Sequence, residues 1–120
     1  MSMDSARTAA TWAPHQSRPG RRVLVINDLA DLRGPTSGEV VLPLQLFWSP
    51  AGRVFDLGKL HSLRAMYQVV LGESASAGEL AAYLNADTLA AIWSDLYLPK
   101  GIRQAWEERH ARLRAATAAA

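Results

Sequence analysis

The chain predicts an α+β domain, and three observations carry that reading. Two β-branched, apolar runs lie within residues 22–57, separated by Gly/Pro loops. From Leu60 onward, apolar residues recur at helical spacing. A length of 120 residues, 49% hydrophobic and 20% charged, suits one small domain. The expected architecture is a small, partly antiparallel sheet of about three strands in the N-terminal half. Three to four helices from the C-terminal half pack on it.

Residues 1–20 read as a disordered leader, because Ser, Thr, Ala, Pro and Gly dominate and no apolar period appears. Trp12 is the exception, a lone tryptophan in this tail. Arg22 to Asn27 is a continuous β-branched run, expected as a strand buried on both faces or at a dimer seam. Asn27 or Asp28 can cap one turn holding Leu29 and Leu32. Gly34 to Gly38 is a loop. Glu39 to Trp48 reads as a second strand in which Pro43 marks an edge or bulge, since proline cannot donate to a ladder. Ser49-Pro50-Ala51-Gly52 is a turn, and Arg53 to Leu57 returns as the other arm of a hairpin.

Leu60, Leu63, Met66, Tyr67, Val70 and Leu71 form one helical stripe, with Asp56 as a possible cap and Gly72 near the end. Ser76 and Glu79 match a capping box. The helix they open buries Leu80, Tyr83 and Leu84. Asp87 is expected to cap the next one, which carries Leu89, Ile92, Trp93 and Leu96. Pro99 ends that segment and starts a last helix bearing Ile102, Trp106, His110 and Leu113. The expected core includes Trp93 and Trp106. Residues 21–115 form the domain, and 116–120 are expected to fray.

Composition excludes several classes. The chain has no cysteine, which removes disulfides and Cys-based zinc sites. No apolar run reaches the ~18–20 residues of a membrane-spanning helix. Residues 1–22 lack a signal-peptide apolar region, so a cytoplasmic location is expected. The net charge of +2 hides segregation. Residues 1–22 hold four arginines against Asp4, and residues 73–98 hold four carboxylates with no Lys or Arg. Basic ends attract nucleic acid or an acidic partner, and they also describe ordinary solvated tails.

No catalytic constellation emerges. His15, His61 and His110 show no metal-binding spacing, and Glu107-x-x-His110 has no second copy to complete a carboxylate site. Gly34 to Gly38 lacks the lysine of a phosphate loop, and no serine-nucleophile motif occurs. The reading assigns no catalytic residue, cofactor or metal. Residues 79–93 have a helix-turn-helix outline, but the second helix is acidic at both ends and carries no base-reading cation. Two short core helices are the better reading. In the last helix, Arg103–Glu107 and Glu108–Arg112 are i, i+4 opposite pairs, which suits a self-neutralised face.

Val25 to Pro35 and Leu96 to His110 resemble a family of short uncharacterised bacterial proteins, over roughly residues 22–114. The resemblance implies no activity and transfers no catalytic residue. Genes of that kind sit beside toxin-like nucleotidyltransferase genes, so the resemblance implies an antitoxin-like partner of a toxin-like enzyme. The expected function is therefore a non-enzymatic interaction module that occludes another bacterial protein. A homodimer is a further option, and a DNA-binding regulator using the basic ends is the alternative. An uncharacterised enzyme stands third. The expected partner-binding residues are Arg33, Trp48, Arg53, Arg103, Arg109, Arg112 and Arg114, because tryptophan and arginine dominate interface hot spots.

Overall fold

The computed structural model describes residues 8–49, 52 and 54–120; Pro50, Ala51 and Arg53 lie outside the described residues, as do 1–7. The α+β class holds. Four strands and five α-helices follow in the order β1 (Ala10–Arg18), β2 (Arg21–Ile26), β3 (Glu39–Val41), β4 (Val54–Asp56), α1 (Leu60–Glu73), α2 (Ala77–Tyr83), α3 (Ala86–Ile92), α4 (Lys100–Arg109) and α5 (Ala111–Ala119). One-turn 3-10 helices sit at Leu29–Asp31 and Trp93–Asp95. The expected single sheet of about three strands is instead two separate antiparallel ribbons, β1–β2 and β3–β4.

The leader reading needs correction over residues 10–18. They form β1, which pairs with β2 through Ala10–Ile26, Thr11–Val25 and Trp12–Leu24. Ala13, His15 and Ser17 alternate with exposed neighbours, so the period of two is carried by small and polar side chains that hydropathy does not register. Pro14 lies in a stretch where the register shifts, as expected for a residue that cannot donate. Helix α4 packs on β1 so closely that a Cβ at Gly101 would overlap the Gln16 backbone. Val23, Leu24, Val25 and Ile26 of β2 are all buried, so this strand is covered on both faces.

The second ribbon is shorter than expected. Pairing is limited to Glu39–Asp56, Val40–Phe55 and Val41–Val54. Beyond Val41 the chain turns, and the Pro43 carbonyl accepts from the N–H groups of Leu46 and Phe47. Val40 and Phe55 face the core, whereas Val41 and Val54 are each 57% exposed.

Helix boundaries follow local chemistry. Ser76 Oγ accepts from Glu79 N–H at 3.2 Å, and Glu79 Oε1 reaches back to Ala75 N–H at 2.7 Å. The cap of α3 is Asn85 rather than Asp87; its side chain accepts from Thr88 N–H at 3.1 Å. Asp56 does not cap α1. Its carboxylate accepts from Gly58 N–H, and Lys59 begins the helix without a side-chain cap. The expected last helix breaks at His110 into α4 and α5, and α5 continues to Ala119 instead of fraying at 116.

Trp93, Trp106, Tyr67 and Leu113 are fully buried in one core shared by both ribbons and all five helices. Loop residues 33 and 34 are tied to the end of α2, with Arg33 N–H on Ala81 O and Gly34 N–H on Leu84 O. Gly34 is required there, since a Cβ would lie 2.5 Å from the Tyr83 carbonyl carbon.

Candidate interaction surface

The basic residues come first, because the sequence placed most of the expected contacts on them. Every described arginine has an acceptor or a carboxylate within the chain. Arg103 turns inward. It donates to Leu96 O at 2.6 Å, lies over the Trp93 ring at 5.0 Å and pairs with Glu107 at 3.7 Å. That guanidinium closes the end of the 3-10 turn at Trp93–Asp95 against α4, so it braces the fold. Arg112 pairs with Asp87 at 2.9 Å, tying α5 to α3. Arg114 donates to the Glu107 carbonyl, where α4 ends and has unpaired carbonyl groups. Arg109 donates to Asn27 Oδ1 at 3.3 Å, and Arg33 to Ala30 O at 3.5 Å.

The same pattern runs through the N-terminal arginines. Arg18 pairs with Glu73 at 3.1 Å, Arg21 donates to Glu73 O at 2.8 Å, and Arg22 to Ala13 O at 2.9 Å. Arg64 pairs with Asp95 at 3.6 Å. The charge segregation along the chain is thus folded back on itself: basic ends meet the acidic 73–98 segment. Individually such exposed pairs are worth little. Arg18, Arg64, Arg103 and Arg112 meet carboxylates, whereas Arg22, Arg33, Arg109 and Arg114 are held by neutral oxygens of the chain.

Glu107 and His110, the one metal-like pair in the sequence, point into separate internal contacts. Glu107 accepts from Trp93 Nε1 at 2.8 Å and from the Thr117 hydroxyl at 2.5 Å. Burial raises its pKa, but these bonds and Arg103 outweigh that and hold it below the usual carboxylate range. His110 Nε2 lies 2.8 Å from Ile26 O at the end of β2. With a carbonyl as partner, Nε2 carries the proton and donates. Burial pulls this imidazole below its ordinary value, with Arg109 adding to the shift and the Ile26 carbonyl and Asp28 opposing it. Tyr67 shows the same structural use: its hydroxyl accepts from Asn85 N–H at 2.9 Å, and burial raises its pKa. Among the described residues no three His, Asp or Glu side chains converge, and no helix is long and apolar enough to cross a membrane.

What remains open is apolar. A cleft of about 510 Å³ runs between α1 and the loop after β3. Its floor is Leu46, Phe47 and Phe55, with the two phenyl rings 5.6 Å apart at 59°. Its wall is Ala65, Gln68 and Val69 on successive turns of α1, and Glu73 closes one end with its carboxylate held by Arg18. Trp48 stands on the rim with 68% of its surface exposed. Gln68 also accepts from the Tyr97 backbone N–H at 2.7 Å, which sets Tyr97 beside the same wall with its side chain 88% exposed.

Of the residues expected at a partner surface, only Trp48 belongs to this cleft. Arg33 sits at the start of α3, Arg103, Arg109, Arg112 and Arg114 brace α4 and α5, and Arg53 lies outside the described residues. The cleft wall and Tyr97 were missed. Ala65, Gln68 and Val69 lie off the apolar stripe of α1, and the only signal for Tyr97 was a large aromatic between two helix ends, just before Pro99. Comparison with known protein families, with curated proteins and with solved structures finds no match.

Proposed function

We propose that this chain is a non-enzymatic interaction module that docks on another protein through the Trp48 cleft. The observation that carries the reading is Trp48, 68% exposed on the rim of an apolar cleft, with the exposed Tyr97 next to the cleft wall through its backbone bond to Gln68. Large aromatic side chains beside a desolvated pocket are the usual anchors of protein interfaces. The mechanism is occlusion: the cleft accepts an apolar side chain of the partner, and the two aromatics cover surface around it. The resemblance of residues 25–35 and 96–110 supports a bacterial, antitoxin-like role in which that partner is a toxin-like enzyme. The internal engagement of the arginines argues against the DNA-binding alternative.

Two measurements test this. The protein and its Trp48→Ala variant are each mixed with a candidate toxin-like enzyme, and complex formation and enzyme activity are followed. The wild type is expected to bind and inhibit, and the variant to bind at least about tenfold more weakly, a hot-spot effect. Equal binding and inhibition by both proteins overturns the site. Separately, the protein alone is titrated with duplex DNA at physiological salt. Binding no tighter than about 10⁻⁴–10⁻⁶ M, the non-specific range, is expected. A sequence-specific, sub-micromolar complex overturns the function.

A further inference from the structure

The two edges of the β3–β4 ribbon are covered differently. Leu57 N–H donates to Gly38 O at 2.8 Å, which makes 38/57 a hydrogen-bonded rung. Antiparallel alternation then makes Val40/Phe55 the next such rung and turns the backbone N–H and C=O groups of Glu39 and Val41 away from β4. On the β4 side, the corresponding groups of Asp56 are occupied: its N–H by Ser62 Oγ at 2.9 Å and its carbonyl by Lys59 N–H at 3.1 Å. The start of α1 therefore closes that edge at Asp56. On the β3 side, nothing among the described residues takes up the outward groups of Glu39 and Val41. The same strand shows a bare apolar pair on its outer face, Val41 opposite Val54, both more than half exposed, and Leu44 beyond it is 59% exposed. Natural sheets normally protect such an edge with a bulge, a proline or several charges. Here Glu39 is the only charge on the strand, and Pro43 comes after the paired residues.

We infer that the open β3 edge pairs with the β3 edge of a second copy of this chain, making a four-stranded antiparallel sheet across a twofold axis. The register is self-complementary. With the axis at Val40, each Glu39 pairs with Val41 of the other copy, so both outward N–H groups and both outward carbonyls on each side find partners. No two carboxylates stand directly opposite one another, whereas a two-residue slip that moved the axis to Glu39 would set the two Glu39 side chains face to face. On the outer face each Val41 then stands beside Glu39 of the other copy, the two Val41–Val54 pairs meet only on a diagonal, and Pro43 limits pairing to three residues per chain. So short a strand with a few aliphatic side chains falls toward the low end of interface size, which implies a weak, concentration-dependent dimer. This surface is separate from the Trp48 cleft and does not rest on it.

Sedimentation equilibrium of the full chain over about a hundredfold range of concentration tests the inference. The mass should rise from the 13.1 kDa of one chain toward twice that value. Val41→Glu, which sets a carboxylate directly opposite Glu39 of the other copy, should remain monomeric throughout, while Val41→Thr, which keeps the strand and its backbone groups, should dimerise. Circular dichroism should show the same fold for all three proteins, since Val41 lies outside the core. The chain has no cysteine, so a mixture of the Glu39→Cys and Val41→Cys proteins should oxidise to a covalent dimer faster than either does alone. A wild type that stays monomeric at every concentration overturns the inference. So does a dimer that Val41→Glu leaves intact, because it would use another surface.

Discussion

β1–β2 and β3–β4 are both two-stranded antiparallel ribbons, and both contain apolar β-branched residues, yet their surroundings differ. In the first, Val23 to Ile26 are buried, with β1 paired beside them and α2 and α4 packed against the strand. In the second, α1 covers only the Val40–Phe55 face and closes only the β4 edge. An isolated ribbon is marginal in water, so each depends on what packs against it. The first ribbon is therefore part of the core, and the second is partly a surface. The same valine side chain has a different meaning on each.

Removing β1 should break this contrast most severely. A chain beginning at Arg21 loses the pairing partner of β2 and the surface on which Gly101 of α4 rests. Uncovering several fully buried side chains, each worth roughly 1.5–3 kcal/mol, approaches the whole stability of a small domain. Thermal scans should show no cooperative transition, or a melting temperature lower by well over about 10 °C. A shift under about 5 °C would return residues 8–20 to the status of a dispensable leader.

Truncating one valine on each ribbon sharpens the comparison. Val23→Ala, at 2% exposure, should cost roughly 2 kcal/mol from lost burial and the cavity left behind. Val54→Ala should stay within about 0.5 kcal/mol, as exposed substitutions do. Chemical denaturation at low protein concentration, where the chain is monomeric, measures both. Similar costs would mean that the outer face of β3–β4 is covered.

The smallest effect expected is a pH dependence at the junction that anchors β2 to α4 and α5. His110 is held below its ordinary value near 6.5, so the folded chain binds fewer protons there than the unfolded chain. Its contribution to stability is complete above about pH 6.5 and is lost as the pH falls through the lower folded value. The melting temperature should decline between about pH 7 and pH 5, and His110→Gln, which keeps an N–H donor for Ile26 O, should flatten that decline. A variant with the wild-type slope would place the titration elsewhere.

Much of the helical half was legible because its signals are local. A Ser and a Glu three residues apart cap a helix whatever surrounds them, and Met66, Tyr67, Val70 and Leu71 are buried where their spacing puts them. Trp93 and Trp106 followed for the same reason. The strand β1 was not legible, since its inward residues are small or polar and only α4 and β2 hold it extended. Nor was the break at His110, a residue whose hydrogen bond to Ile26 spans the chain. The site was less readable still. One of its anchors, Trp48, stood out as an aromatic beside a turn, but the cleft needs α1 and the loop after β3 to come together.

By itself the sequence determined the α+β class, the helix stripes and the capped starts, because periodicity and capping act over a few residues. Tertiary structure decided which strands pair, which arginines turn inward and which apolar residues stay outside. Those outcomes depend on contacts between distant segments, as when Arg112 meets Asp87 or Gly101 meets Gln16. An arginine looks the same in the chain whether its guanidinium meets a carbonyl 7 residues away, as Arg103 does, or stands free for a partner. The difference arises only when packing removes water and brings an acceptor within reach.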